Sequence, residues 1–115
     1  METVIYQNYE WNREKAKRNK IKHGVSFKAA TAIFDDPNRL DLPDEEHSFD
    51  EPRRKVIGMV DDVLFVIYTE RRERIRLISA RKAEDDERRD YYAYGGKFGI
   101  LHAQSWTTVD GGGEG

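Results

Sequence analysis

The sequence predicts an α+β fold: an antiparallel sheet of three to four strands with two N-terminal helices and one C-terminal helix. The observations that predict it are two helix caps in the first third of the chain, three β-rich runs in its centre, and acids followed by bases in residues 82–92. At 115 residues the chain fits a single domain.

The N-terminal third predicts a short edge strand and two helices. Val4–Tyr6 is the candidate strand. Asn12 can cap the first helix, and Gly24 suits the left-handed backbone that often ends one. Ser26 can cap a second helix, which has apolar residues at i, i+3 and i+7 and ends before Pro37.

The centre of the chain predicts the sheet. Residues 38–52 are acidic and are expected to form a loop with a short strand around Leu40–Leu42. Lys55–Val60 and Val63–Thr69 are β-rich runs joined by a tight turn, and a second turn leads into Arg74–Arg81. Strict alternation along this last run predicts two faces, made of Arg74, Arg76, Ile78 and Ala80, and of Ile75, Leu77, Ser79 and Arg81.

The C-terminal part predicts a helix and an extension. Lys82–Tyr92 has its acids in the first turns and Arg88 and Arg89 in the last, as the helix dipole favours. Two glycines then break the pattern. We therefore expect a folded domain over residues 1–94 and a partly flexible extension over residues 95–115.

Composition excludes several classes of protein. The chain has no cysteine, so disulfides and thiolate chemistry are excluded. No apolar run approaches 18 residues, so no membrane span is predicted, and a cytoplasmic location is expected. Charge is segregated behind a net charge of −2: residues 11–28 hold seven bases and one acid, and residues 35–51 hold eight acids and one base.

No cofactor or metal motif is present in the sequence. The histidines His23, His47 and His102 fall on separate predicted elements without i, i+4 pairing. A phosphate-cradling glycine motif and a Gly-x-Ser-x-Gly elbow are both missing. We therefore expect neither a metal nor an organic cofactor.

The remaining polar groups suit phosphodiester chemistry. RNA cleavage by its own 2′-hydroxyl needs a base for that proton, an acid for the 5′-oxygen, and positive charge on the phosphoryl oxygens. Arginine suits the last task, and histidine or a carboxylate suits the first two. The residues of these types are His23 with Lys22, Glu51, Arg53, Arg71, Arg76 and Arg81.

Each of these residues also has a structural interpretation. His23 can stabilise the end of its helix, Glu51 can pair with Arg53 or Arg54, and Arg76 can pair across strands. Tyr91 can pack its helix against the sheet. The residues by themselves therefore predict a small α+β domain able to bind anions.

The sequence resembles the BrnT toxin family over about residues 4 to 92. The segments that carry the resemblance are Trp11-Asn12 with Asn19, Lys22-His23-Gly24-Val25-Ser26-Phe27, Phe34-Asp35-Asp36-Pro37, Asp44 with His47-Ser48, Glu51-x-Arg53, Ile57-Gly58, Tyr68-Thr69-x-Arg71, Ile75-Arg76-Leu77-Ile78-Ser79-Ala80-Arg81-x-Ala83, Glu87-Arg88 and Tyr91. Their order and spacing make the resemblance specific.

The resemblance implies a toxin of a type II toxin–antitoxin module with a fold similar to RelE and ParE toxins. It implies a metal-independent ribonuclease that blocks translation. The implied partner is a BrnA-like antitoxin with a ribbon-helix-helix domain, through which alone the toxin meets operator DNA. The motif positions that carry over as candidate catalytic residues are His23, Glu51, Arg53, Arg71, Arg76 and Arg81. The candidate RNA contacts are Lys22, Arg54, Arg74 and Tyr91, of which Arg54 and Arg74 lie outside the matching segments.

The resemblance does not settle which of these residues is the acid and which is the base. The alternative function is a non-catalytic RelE/ParE-like module that grips a partner, or a co-regulator that acts on transcription through its antitoxin.

Overall fold

The computed structural model describes residues 2–48 and 50–96, and these residues form one mixed sheet with helices on both faces. Its strands are β1 (Thr3–Tyr6), β2 (Tyr9–Asn12), β3 (Leu40–Pro43), β4 (Arg54–Val60), β5 (Asp62–Arg71) and β6 (Arg74–Lys82). The helices are α1 (Arg13–His23), α2 (Phe27–Ala30) and α3 (Asp85–Tyr94), with short 3₁₀ helices at Thr31–Asp35 and Glu45–His47.

The predicted antiparallel sheet of three to four strands with two N-terminal helices is wrong, although the class α+β holds. Within the described residues the sheet has six strands in the order β1-β2-β6-β5-β4-β3, accompanied by three α-helices. β2 runs parallel to β6, with Tyr9 opposite Ile75 and Glu10 opposite Arg76. A four-residue strand that leads directly into a helix carries little local signal, and its partner lies far along the chain.

A β-bulge in β6 decides which side chains share a face. Ile67 pairs with Ser79 and Tyr68 pairs with Leu77, so Ile78 is an extra residue without a partner on β5. The alternation therefore reverses at Ile78, and the two faces predicted for Arg74–Arg81 are wrong.

We call the two sides of the sheet the front and back faces. The front face carries Val56, Val66, Tyr68, Leu77 and Ala80. The back face carries Ile57, Phe65, Thr69, Arg76 and Arg81.

The main core lies between the front face and the N-terminal helices. Phe27, Ala30 and Ile33 are at most 1% exposed and pack on this face together with Trp11. Gly58 lets Ile33 approach the sheet, because a Cβ there would lie 2.6 Å from Ile33 Cγ1. The burial of these residues explains why α2 and the following 3₁₀ helix form despite their shortness.

The predicted caps of α1 are present. The Asn12 side chain accepts a hydrogen bond from the backbone N–H of Lys15 at 2.9 Å, and Gly24 adopts the left-handed conformation with φ 73°. The helix itself is almost wholly polar, so an apolar stripe cannot be what holds it in place.

Asn19 attaches α1 to the open edge of β6. The pairing of β2 with β6 ends at Glu10 and Arg76, so among the described residues no strand pairs with the β6 backbone beyond Arg76 on that side. The buried Asn19 carboxamide donates to Ala80 O at 2.8 Å and accepts from Ala80 N at 3.1 Å. It also donates to Val25 O at 3.0 Å, so a single side chain takes the place of a strand there.

α3 packs on the back face through a second, smaller core. Ile57, Val63, Ala83 and Leu40 form this core with Tyr91. β6 continues to Lys82, which is why the helix predicted over Lys82–Tyr92 begins only at Asp85. A capping box between Glu84 and Glu87 fixes its first turn.

Asp36, which follows the first 3₁₀ helix, connects α3 to β4 through hydrogen bonds. Its Oδ2 accepts from the Tyr91 hydroxyl at 2.6 Å and from Met59 N at 2.7 Å, and its Oδ1 accepts from Asn38 N at 2.9 Å. Burial raises the pKa of Asp36, but these hydrogen bonds outweigh it and leave the pKa below its usual 3.8.

No helix in the described part of the chain is long and apolar enough to cross a membrane. Most of the predicted extension over residues 95–115, including His102, lies outside the described residues.

Replacing Asn19 by alanine should destabilise the protein by about 2–4 kcal/mol, because it leaves the buried N–H and C=O of Ala80 without partners. Urea unfolding would measure the loss. Arg18→Ala, at an exposed position of the same helix, is the control. A loss below about 0.5 kcal/mol for Asn19→Ala would show that α1 is held by other contacts.

The Asp36 network should make the protein acid-sensitive. Because the folded pKa lies below 3.8, the stability that Asp36 contributes is complete above about pH 5 and is lost as the pH falls through 3.8 towards the folded value. Asp36→Asn should lower the free energy of unfolding at pH 7 and flatten its decline between about pH 5 and 3. Asp35→Asn, which removes one carboxylate at the exposed neighbouring position, is the control, and equal slopes in all three proteins would contradict the assignment.

Candidate functional site: a cluster of arginines and glutamates

Five charged residues from four segments meet at one end of the back face. They are Glu10 on β2, Glu51 and Arg53 in the loop before β4, Arg71 at the end of β5 and Arg76 on β6. We call them the Glu–Arg cluster. The parallel pairing of β2 with β6 brings Glu10 beside Arg76, and the β5–β6 hairpin brings Arg71 close to the same place.

Arg71 and Glu51 form a bidentate pair at the surface. Arg71 Nε lies 3.1 Å from Glu51 Oε1, and Nη2 lies 2.9 Å from Oε2. The side chains are 43% and 32% exposed, so solvent reaches both partners. Glu51 therefore pairs with Arg71, and not with Arg53 or Arg54 as the structural interpretation of the sequence had it.

Arg76 and Glu10 form the more buried pair. Arg76 Nη1 donates to Glu10 Oε2 at 2.7 Å, and the side chains are 20% and 14% exposed. An arginine in the middle of a strand is costly unless its charge is met. The carboxylate of Glu10 neutralises that charge here, which agrees with the interpretation that Arg76 pairs across strands.

The loop that carries Glu51 and Arg53 is held by its backbone. Arg53 N donates to Ser48 Oγ at 2.8 Å, and Asp44 N donates to Arg53 O at 2.8 Å. The Thr69 hydroxyl, from the back face, donates to Pro52 O at 2.6 Å. A surface depression of about 630 Å³ lies against Ser48, Glu51 and Arg53, and the acids Glu45, Asp50 and Glu70 also line it.

The electrostatics of the cluster keep Glu51 ionised. The hydrogen bond from Arg71 is the main cause that lowers the pKa of Glu51 below its usual 4.5, and the charges of Arg53 and Arg76 act in the same direction. Arg71 in turn has a raised pKa because of Glu51. The cluster can therefore offer a carboxylate base and several permanent positive charges at neutral pH.

Arg74 lies beside the cluster. In the register of the β5–β6 hairpin its backbone is opposite that of Arg71, next to the turn. Arg71, Arg72 and Arg74 line a second depression of about 480 Å³ together with Asn8. Glu70 and Glu73 line the same depression, so this end of the sheet carries charges of both signs.

Arg81 is on the back face but away from the cluster. It lies five residues beyond Arg76 along β6, but because Ile78 is a bulge the two arginines are opposite Thr69 and Phe65, four residues or about 13 Å apart on β5. Its guanidinium makes two bonds to Glu87 at 2.9 and 3.0 Å and lies 4.1 Å from the centre of the Phe65 ring. These contacts join β6 to α3.

Arg54 and Tyr91 are engaged elsewhere. Arg54 is opposite Tyr68 on the front face, and Arg54 Nε and the Tyr68 hydroxyl both donate to Asp41, at 3.0 and 2.6 Å. Tyr91 is 6% exposed, with its hydroxyl on Asp36. Tyr91 therefore packs α3 against the sheet, as its structural interpretation held.

Lys22 and His23 are the last two residues of α1, the helix that lies along the edge of β6 that does not pair with β5. Asn19 fixes that helix at Ala80, which lies about 10 Å along β6 from Arg76 when the bulge at Ile78 is taken into account. None of the hydrogen bonds or ion pairs among the described residues involves the His23 side chain. The structure thus brings together Glu51, Arg53, Arg71 and Arg76, with Arg74 adjacent, and leaves Lys22, His23, Arg54, Arg81 and Tyr91 apart.

Glu10 belongs to the cluster and was missed in the sequence. The signal that could have found it is the alternation around Trp11, which places Glu10 opposite to the core side of a strand. Among the described residues, no group of three or more histidine, aspartate and glutamate side chains is arranged to hold a metal ion.

The fold is that of a small α+β domain, and the Glu–Arg cluster places three arginines and two glutamates at one end of its sheet. The sequence model of the family described as "Ribonuclease toxin, BrnT, of type II toxin-antitoxin system" matches residues 11–87. The chain therefore belongs to the BrnT family of ribonuclease toxins, which confirms the resemblance seen in its motifs. Membership implies an RNA target and an antitoxin partner.

A solved structure shares the fold. The 1.1 Å crystal structure of the Brucella abortus ribonuclease toxin BrnT superimposes with a TM-score of 0.52 at 21% sequence identity. The match covers 65% of this chain and 94% of that one. No curated protein matches the sequence significantly.

The two ion pairs of the cluster should differ in strength. Double-mutant cycles with alanine should give a coupling below about 1 kcal/mol for Glu51–Arg71, because water screens it, and about 1–3 kcal/mol for Glu10–Arg76. Chemical denaturation of the single and double variants measures both values. A larger coupling energy for Glu51–Arg71 than for Glu10–Arg76 would show that solvent exposure does not determine the strength of these ion pairs.

Proposed function

We propose that the chain cleaves RNA at the Glu–Arg cluster without a divalent metal and thereby blocks translation. The observation that carries the proposal is the convergence of Arg53, Arg71 and Arg76 on Glu51. This arrangement supplies positive charge and a carboxylate base in one place. Membership of the ribonuclease toxin family supports the choice of RNA as the anion.

The arginines would hold the phosphate by exchanging partners. The Glu51–Arg71 pair is exposed and contributes little net free energy, so a phosphodiester can replace the glutamate at small cost. The planar guanidinium of Arg71 then bonds two phosphoryl oxygens. Arg76, held in place by Glu10, adds charge where it develops in the transition state.

Substrate binding would also make Glu51 a better base. In the free protein the hydrogen bond from Arg71 lowers its pKa. When Arg71 turns to the phosphate, that bond is lost and the pKa rises, which strengthens the carboxylate as a proton acceptor. Arg71 would thus link phosphate binding to base strength.

The reaction balances with Glu51 as the base. Its carboxylate takes the 2′-hydroxyl proton as the 2′-oxygen bonds to phosphorus, and the bond from phosphorus to the 5′-oxygen breaks. The products are a 2′,3′-cyclic phosphate and a 5′-hydroxyl. Water gives the 5′-oxygen its proton, and the protonated Glu51 returns its own proton to the hydroxide that remains, so the carboxylate is restored. His23 is left out of this scheme because the cluster is assembled from β2, β5, β6 and the loop before β4, whereas α1 is bonded through Asn19 to Ala80, about 10 Å along β6 from Arg76.

We propose in addition that a BrnA-like antitoxin with a ribbon-helix-helix domain neutralises the chain in the cytoplasm and mediates all contact with operator DNA. Family membership supports an antitoxin partner.

Substitutions in the cluster should abolish cleavage without unfolding the protein. Glu51→Gln and Arg76→Ala should each lower the cleavage rate of a single-stranded RNA about 10²-fold or more, the former by removing the base and the latter by removing charge from the transition state. Gel analysis with end-group mapping measures the rate and identifies the cyclic phosphate. Cleavage should persist in excess EDTA.

Arg81→Ala is the matched control. It removes an arginine from the same strand and face, but its partner is Glu87 on α3, so it should lower stability and leave the cleavage rate of the folded protein within about threefold. Folded wild-type protein that binds RNA without cutting it would favour the non-catalytic alternative. If Arg81→Ala lowered the cleavage rate as much as Arg76→Ala, the active site could not be the Glu–Arg cluster alone.

A further inference from the structure

A groove with an apolar floor lies between β1 and α1. Val4, Trp11, Ala16 and Ile21 line its floor, and its volume is about 530 Å³. Val4 and Ala16 belong to the margin of the main core, whereas Ile21 is 85% exposed. Ile21 therefore contributes little to folding in the isolated chain, and its apolar surface is available to a partner.

The rim of this groove is basic. Arg13, Lys17 and Lys20 line it. α1 as a whole holds six lysines and arginines and one acid, Glu14. Among the described residues Lys20 makes no ion pair, and Lys17 only reaches Glu14 at 4.0 Å. Arg13 is paired with Glu2 at 2.7 Å, so the unneutralised positive charge of the rim comes from Lys17 and Lys20.

We propose that this groove docks a segment of the antitoxin that forms an amphipathic helix, with apolar side chains on the floor and acidic residues against the rim. An apolar floor inside a basic rim is complementary to such a helix in both polarity and charge. RNA would also meet the basic rim, but it has no aliphatic surface to bury on the floor. The naming of the partner rests on the function proposed above.

The groove is separate from the Glu–Arg cluster. Val4 and Trp11 lie on the front face, whereas Glu10 and Ile5 alternate with them and lie on the back. A helix in the groove therefore anchors its protein without covering Arg71 or Arg76. Docking and RNA cleavage can be disrupted independently.

The test uses the full chain and a fluorescent amphipathic peptide of roughly 18 residues, with leucines at helical spacing and glutamates on both flanks. Fluorescence anisotropy should show binding that weakens at least about tenfold with Ile21→Gln and with the double substitution Lys17→Glu/Lys20→Glu. Ile5→Gln is the matched control, because Ile5 is also exposed, at 57%, but on the other face.

Two further peptides identify the chemistry. Replacing the glutamates by lysine, or the leucines by serine, should abolish binding. The proposal is overturned if the acidic peptide does not bind, if Ile21→Gln leaves binding unchanged, or if an RNA oligomer displaces the peptide with an affinity that the Ile21→Gln substitution lowers equally.

The ribonuclease assay separates this proposal from the function proposed above. Ile21→Gln should retain wild-type RNA cleavage while losing the peptide. Wild-type protein that binds the peptide through Ile21 but leaves RNA intact would refute the proposed ribonuclease and support the docking groove.

Discussion

The single extra residue in β6, Ile78, sets the arrangement of the whole molecule. Without it, Leu77 and Ala80 would point to opposite sides of the sheet, and so would Arg76 and Arg81. With it, both apolar residues enter the core beneath α2, and both arginines stand on the back face. One inserted residue thus places the apolar Leu77 and Ala80 on the front face of β6 and the charged Arg76 and Arg81 on its back face.

Glutamates make that charged back compatible with a folded sheet. Arg76 lies mid-strand and largely shielded from water, so it needs a fixed partner, and β2 supplies Glu10 through the parallel pairing. Arg71 lies at the strand end, where water can solvate its charge, and its pair with Glu51 is exposed to solvent. The buried pair positions a charge, whereas the open pair can exchange its partner.

Local signals in the sequence predicted the parts of the fold that local chemistry decides. Asn12 and Gly24 cap α1 as expected, because caps depend on neighbouring residues only. The pairing of Glu51 with Arg71, the strand that carries Glu10 and the bulge at Ile78 depend on residues far along the chain. The candidate site was therefore predicted in composition, through Glu51, Arg71 and Arg76, but not in geometry.

Asn19 explains why α1 is free to carry the features of a binding surface. An ordinary surface helix must bury an apolar stripe to stay attached, which fixes several of its side chains. Here the hydrogen bonds of Asn19 to Ala80 and Val25 supply much of that attachment. Apart from Ala16, which packs at the margin of the main core, the helix carries mostly exposed basic residues together with the exposed Ile21. A helix held by one amide can thus present its outer surface to a partner at little cost to the fold.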